Sequence, residues 1–221
     1  LLHINKRSAT KTDKHRLISF FSPMSKIADQ YRSIRTNIQL NPESEKFTSF
    51  IVTSPGYKEG KSTTSANLAI SFSSQGKKVL LIDGDSRKPS LHTTFKIDNT
   101  VGLSDVLRGV SRLEEAVGRT EIGRMDIMTS GAIKFNHSEL LASPSLRNII
   151  QYAGREYDCI VIDAPPILET SDVKVMANQC EGLILVARAG RTDQSKLVEA
   201  KKRLETFDTA ILGIILNDLG H

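Results

Sequence analysis

The chain has 221 residues, 39% hydrophobic and 5% aromatic, which is enough for one domain with a substantial core. Two cysteines, Cys159 and Cys180, are too few for a disulfide framework and fit a reducing compartment. No apolar run approaches the roughly 18–20 residues that span a bilayer. The net charge of +5 is concentrated at the start, where Lys6, Arg7, Lys11, Lys14 and Arg16 face Asp13 alone; the nearly neutral remainder argues against a nucleic-acid-binding face.

Residues 1–22 read as a polar, basic arm, followed by a domain over 23–221. Such an arm suits a juxtamembrane linker near anionic lipid or a solvated tail. The sequence has no starting Met and no signal peptide, so a piece of a longer protein is expected. A helix is predicted over 25–40, with Ser25 as N-cap and Ile27, Tyr31, Ile34 and Ile38 at helical spacing; Pro42 lies just past its end.

Apolar runs then alternate with helical segments. Strands are predicted at 47–53, 78–83, 125–129, 158–163, 182–189 and 210–217. Helices are predicted at about 61–75, 103–108, 111–118, 143–156, 171–180 and 192–207. The strands are almost continuously apolar, as strands covered on both faces are. The expected fold class is therefore α/β, a doubly wound and mostly parallel sheet with helices on both faces. Ligands of such sheets bind beyond the carboxyl ends of the strands, and the informative residues lie there.

After the first strand comes TSPGYKEGKSTTSANLA, residues 53–69. Gly60-Lys61-Ser62 between a strand and a helix is the context of a phosphate-binding loop. Amide N–H groups at the helix start, with the helix dipole, favour phosphate oxygens. Lys61 would reach the β- and γ-phosphates of ATP, Ser62 would bind Mg²⁺, and Thr63 and Thr64 would add contacts near the α-phosphate. The usual first glycine of the loop is Pro55, which cannot take positive φ; Gly56 is expected to make the turn in its place.

Two further strand ends carry acids: Asp83 and Asp85 in VLLIDGDSRKP, and Asp163 in CIVIDAPP. Mg²⁺ takes one or two carboxylates plus phosphate oxygens and water, and a remaining carboxylate can take the proton of an attacking hydroxyl. Cys159 reads as a buried small hydrophobe, the five histidines show no metal-ligand spacing, and Lys201, Lys202 and Arg203 read as a solvated helix face.

With these motifs the sequence resembles the bacterial tyrosine kinases, P-loop proteins of capsule and exopolysaccharide synthesis related to the MinD and ParA ATPases. The resemblance covers about residues 25–217. It rests on the Walker A loop, on LLIDGDSR as a φφφDxDxR motif with Asp83, Asp85 and Arg87, and on IVIDAPP as a φφφD motif followed by two prolines. DQYRSIRTN, residues 29–37, resembles the family's ExxRxxR motif at subunit contacts of a ring-shaped octamer. TSGAIKFNHSELLAS, residues 129–143, resembles a further family segment.

The resemblance implies a protein-tyrosine autokinase with ATP and Mg²⁺. Lys61, Asp83, Asp85 and Asp163 would be catalytic; Ser62 and the three aspartates would hold the metal. Gly56, Glu59, Gly60, Lys61, Ser62, Thr63 and Asn217 would bind the nucleotide, Asn217 at the adenine. Asp29, Arg32 and Arg35 would lie at the interface of a homo-oligomer. It further implies a membrane adaptor or polysaccharide co-polymerase, a cognate phosphotyrosine phosphatase, no nucleic acid, and a cytoplasmic location at the inner face of the membrane.

Three departures stand out. The family usually places Pro at Tyr57, whereas here Pro-Gly comes two residues earlier. Asp29 replaces the usual Glu. The tyrosine-rich tail has no counterpart among Tyr31, Tyr57, Tyr152 and Tyr157, and is expected to lie outside this sequence. Two rival functions are a switch ATPase of the MinD/ParA type and a catalytically weak nucleotide-binding scaffold. The signature Lys of the first would fall at Gly56.

Overall fold

A computed structural model describes residues 10–40, 47–132, 137–142 and 145–218. Its seven strands are β1 (Ser49–Thr53), β2 (Val79–Asp83), β3 (Val117–Arg119), β4 (Met125–Met128), β5 (Cys159–Asp163), β6 (Gly182–Arg188) and β7 (Ala210–Asn217). They form one sheet in the order β3-β4-β2-β5-β1-β6-β7. All neighbours are parallel except β3, which pairs antiparallel with β4. The α/β, mostly parallel fold expected from the sequence is present.

The strands are apolar because both faces are covered. Ile51, Leu80, Ile82, Ile160 and Ile162 face one core. Phe50, Val52, Val79, Leu81 and Val161 face the other. Each of these side chains is at most 3% exposed. Burying one such aliphatic chain contributes roughly 1.5–3 kcal/mol, so two continuous layers dominate the favourable side of folding.

The helices are α1 (Lys11–Arg16), α2 (Ile18–Phe21), α3 (Lys26–Leu40), α4 (Lys61–Ser73), α5 (Leu91–Phe95), α6 (Leu103–Leu107), α7 (Leu113–Ala116), α8 (His137–Ala142), α9 (Ser145–Ala153), α10 (Asp172–Ala177) and α11 (Gln194–Leu204). The segment predicted as a helix over 111–118 divides into α7 and the edge strand β3, and α5 had no predicted counterpart. Parts of two sequence readings lie outside the described residues: Pro42, and residues 133–136 and 143 of the 129–143 segment.

The boundary expected at residue 22 does not mark an edge of the packing. Leu17 is 1% exposed within the core that contains Leu68 and Phe72. Asn67 of α4 holds this turn from both sides. Its Oδ1 accepts from Ser19 N at 2.9 Å and its Nδ2 donates to Arg16 O at 2.7 Å. Thr10 caps α1, and Asp13 pairs with Lys96 at 2.7 Å. Residues 1–9 of the expected arm lie outside the described residues.

Candidate functional site

The register places the site. Asp83 of β2 and Asp163 of β5 are direct neighbours across two parallel strands, both at the carboxyl end. Val52 of β1 lies on the other side of Asp163, and the phosphate loop begins two residues later. Thr53 Oγ1 donates to Pro165 O at 2.6 Å, and Ile167 N donates to Ser54 O at 2.8 Å, tying the loop's entry to the segment after Asp163. Gly84 N donates to Asp163 O at 2.9 Å, and a side chain at Gly84 would come within 2.4 Å of Met176 Cε. Glycine between the two aspartates is thus what lets β2 leave the sheet against β5.

Lys61, the first residue of α4, is 6% exposed and turns into these acids. Its Nζ lies 2.9 Å from Asp85 Oδ2 and 3.3 Å from Asp163 Oδ1. Burial opposes its charge, but Asp163 and Asp85 outweigh burial and hold its pKa above the ordinary value. Ser65, one turn along α4, donates to Lys61 O at 2.9 Å and to Asp163 Oδ1 at 3.3 Å. Sequence reasoning passed over Ser65; its signal is the helical spacing from Lys61, which puts both on the inward face.

The three carboxylates differ in what they hold. Asp83 Oδ1 accepts from Asp85 N at 3.2 Å, and its Oδ2 accepts from Ser90 N at 3.0 Å and Leu91 N at 2.9 Å. It therefore organises the turn and the start of α5. Burial first, and then the neighbouring Asp163, push its pKa up to about 7. Asp85 Oδ1 accepts from Lys88 N at 3.1 Å, while its buried Oδ2 pairs with the ammonium of Lys61. Burial likewise raises Asp163, with Lys61 acting against it. Arg87 of the same motif reaches Asp172 on α10 at 3.4 Å.

The loop does not turn where the sequence suggested. Its positive φ values belong to Lys58 (65°) and Gly60 (95°), not to Gly56. Gly56 instead donates its N–H to Glu59 Oε2 at 3.2 Å, and Ser54 Oγ closes on Gly56 O at 2.7 Å. Glu59 is 4% exposed, and burial raises its pKa. Pro55 and Gly56 thus shape the loop's entry, and Lys58 takes the left-handed turn that the missing glycine was expected to pass to Gly56. A Cβ on Gly60 would lie 2.0 Å from Asn217 Nδ2, so glycine is required there for space as well as for φ.

Of the remaining predicted residues, Ser62 Oγ lies 3.4 Å from Lys61 Nζ and hydrogen-bonds the Asp163 carboxylate. The carbonyl of Thr63 accepts from Asn67 Nδ2 at 2.8 Å. Asn217 ends β7 and donates to Glu59 O at 3.1 Å. A cleft of about 630 Å³ runs from Asn217 to α3, lined also by Tyr31, Ile34, Thr64 and Ile215. Asp29 and Arg32 pair with each other on α3, and Arg32 donates to Pro23 O at 2.6 Å. Arg35 turns inward and donates to Ser71 O at 2.8 Å.

Oxygen donors of this kind suit a hard cation. Ser62, Asp85 and Asp163 stand together, with Lys61 as the cation that Asp85 Oδ2 faces. No group of three or more His, Cys, Asp or Glu side chains among the described residues would hold a metal by itself. Mg²⁺, which takes few carboxylates and completes its shell with phosphate and water, fits that arrangement.

Residues 57–195 match the family model described as AAA domain. The chain is 42% identical to the tyrosine-protein kinase YwqD of Bacillus subtilis over 91% of this chain and 85% of that one. The chain belongs to the bacterial tyrosine-protein kinases. Among solved structures, the chimerical protein CapA2B2 superposes with a TM-score of 0.90 at 32% identity, covering 93% of this chain and 91% of that one. The septum site-determining protein MinD of Pyrococcus horikoshii, complexed with Mg-ADP, superposes with a TM-score of 0.67 at 30% identity, covering 78% and 70%. The chain thus has the P-loop fold, which implies ATP binding. No helix among the described residues is long and apolar enough to cross a membrane.

Proposed function

We propose that this kinase transfers the γ-phosphoryl group of ATP to tyrosine hydroxyls of neighbouring copies, and so regulates capsule or exopolysaccharide synthesis and export. The observation that carries the reading is the placement of Lys61 against Asp85 and Asp163 at the end of the phosphate loop. An ATP-hydrolysing switch needs only a positioned water. Phosphoryl transfer to tyrosine also needs a carboxylate to take a proton, and Asp85, whose Oδ2 faces the Lys61 ammonium that ATP would draw away, supports that role.

Gly60, Lys61, Ser62 and Thr63 hold the phosphates with backbone amides and the Lys61 ammonium; Gly56 and Glu59 shape the loop, and Asn217 meets the adenine. Ser62, Asp85 and Asp163 would hold Mg²⁺, with Asp83 fixing the turn that carries Asp85. Bound there, Mg²⁺ would supply neutralisation of the phosphate charge. As ATP displaces Lys61 from the acids toward its own phosphates, Asp85 takes the proton of the acceptor tyrosine. The phenolate oxygen forms its bond to the γ-phosphorus, the bond to the β,γ-bridging oxygen breaks, and ADP leaves with that oxygen.

Asp29 and Arg32 on the exposed side of α3 meet the next copy, and Arg35 supports that helix from within. The partners are a membrane adaptor or co-polymerase and a phosphotyrosine phosphatase, with the kinase held at the inner membrane face. The likeness to a chimerical protein named for both CapA and CapB supports an adaptor.

The test mixes wild type with a size-tagged Lys61→Met copy, labelled ATP and Mg²⁺. Phosphotyrosine on the Lys61→Met copy is the expected result. Free phosphate without phosphotyrosine overturns the reading in favour of a switch ATPase.

A further inference from the structure

Three non-glycine residues among those described have positive φ: Lys58 (65°), Lys96 (55°) and Asp218 (59°). Two of them, 160 positions apart, are joined by one side chain. Arg188, the last residue of β6, donates from Nε and Nη2 to Asp218 Oδ2 at 2.9 and 2.7 Å. Its Nη1 points to Lys58 O at 3.4 Å. Beside it, Asn217 Nδ2 donates to Glu59 O at 3.1 Å. The root of Arg188 is fixed, since its N donates to Thr192 Oγ1 at 2.7 Å and the next amide donates to Asn217 O at 2.9 Å.

The carbonyls of Lys58 and Glu59 are therefore both drawn toward the end of β7. A trans peptide points its N–H opposite its C=O. Pulling these two carbonyls to the β7 side turns the N–H groups of Glu59 and Gly60 to the other side of the loop, where a phosphate chain is bound by amides. Left-handed backbone at a non-glycine residue persists only where its surroundings hold it, and here a guanidinium fork holds two such residues.

We propose that Arg188 is a positioning residue for the nucleotide. It does not touch ATP; it presets the amides of Glu59 and Gly60 for phosphate and couples the loop's shape to Asp218, immediately after β7. The Arg188 and Asp218 side chains are 36% and 54% exposed, so the pair contributes little to global stability and its effect falls on the loop. This inference rests on the reading of the loop as the phosphate site.

Calorimetric Kd values for Mg-ATP and for Mg-tripolyphosphate, which has the phosphates without base or sugar, test it on the whole chain. Arg188→Ala should weaken both ligands by a similar factor, ~10-fold, because preorganisation of the loop is lost. Asp218→Asn, which leaves the guanidinium in place, should weaken both in the same direction by less. Arg188→Lys should recover part of the loss, since an ammonium cannot reach both partners as a fork does. The ligand-free Tm of each variant should stay at the wild-type value. Unchanged affinity in Arg188→Ala overturns the proposal. So does weakened ATP with unchanged tripolyphosphate, which would mean that Arg188 meets the base or sugar directly. A wild type that binds neither ligand would instead overturn the phosphate-site reading.

Discussion

Lys61 Nζ sits 2.9 Å from Asp85 Oδ2, so in this structure the phosphate-loop lysine is the counter-ion of an acid expected to work beside it. Asp85 is 1% exposed, Asp163 and Asp83 are fully buried, and Lys61 is the cation inside their cluster. A lysine so placed offsets the charge of the buried acids and is the group a triphosphate must draw away.

Lys61→Met removes that cation and leaves three buried carboxylates facing one another. Breaking a buried pair costs about 3–5 kcal/mol where the remaining charge cannot relax. Here the acids can take up protons, so the loss should be about 1–3 kcal/mol at pH 8 and smaller at pH 5. Urea denaturation without ligand at the two pH values measures it. A loss that grew toward pH 5 would contradict the counter-ion role. Phosphotransfer by the variant should fall below detection.

Asp83→Asn and Asp85→Asn should separate fold from chemistry. Asp83 accepts from three backbone amides, and an Asn side chain has one acceptor oxygen to offer them. Asp83→Asn should therefore cost about 1–3 kcal/mol of stability as well as activity. Asp85→Asn can keep the bond from Lys88 N, and Lys61, though it loses its nearer acid, keeps Asp163 at 3.3 Å, so the cost should be smaller than for Asp83→Asn, about 1 kcal/mol. Its phosphotyrosine yield should nonetheless fall at least ~100-fold, the scale of a lost general base. Equal stability of the two variants would remove the distinction drawn between them.

At the loop, Gly60→Ala and Lys58→Gly should have opposite signs. A methyl on Gly60 meets the Asn217 amide and has an unfavourable φ, so nucleotide binding should fall sharply. Lys58 has φ 65°, a conformation that costs an L-residue about 1–2 kcal/mol. Glycine removes that strain but adds freedom to the unfolded chain, leaving Lys58→Gly between neutral and about 1 kcal/mol more stable. Thermal melts of both variants check the signs; a clear loss of stability in Lys58→Gly would refute the strain argument.

Much of this was legible because it is written locally. Continuous runs such as VLLID and CIVID, bounded by turn residues, read as strands buried on both faces, and a parallel sheet brings Lys61, Asp83, Asp85 and Asp163 together at its carboxyl edge. What escaped was set by distant contacts. The five residues of α5 are anchored by Asp83 amide bonds rather than by propensity, and β3 is three residues borrowing the edge of β4. Residues 11–21 read as an arm because nothing local reveals that Asn67 waits for them on α4. Gly56 was the natural candidate for the turn, since glycine adopts positive φ without cost; that Lys58 turns instead follows from Glu59, Asn217 and Arg188 closing around it.

The pH dependence of stability should carry the mark of Asp83. Its folded pKa is about 7, raised by burial and by Asp163, against an ordinary 3.8 in the unfolded chain. An acid raised on folding contributes stability that is present below the unfolded value and lost as pH climbs to the folded value. Below about pH 4 both states hold the proton and Asp83 costs nothing extra; between about pH 4 and 7 the unfolded state releases it while the native state keeps it. Other carboxylates titrate in the same range, so the quantity to follow is the stability of wild type minus that of Asp83→Asn, which has no proton to lose. That difference should fall steadily from pH 4 to 7 and level off above it, in urea titrations of the ligand-free protein. A difference that rose with pH would mean that Lys61 holds Asp83 ionised in the native state, and that the three acids share their charge differently from the arrangement described.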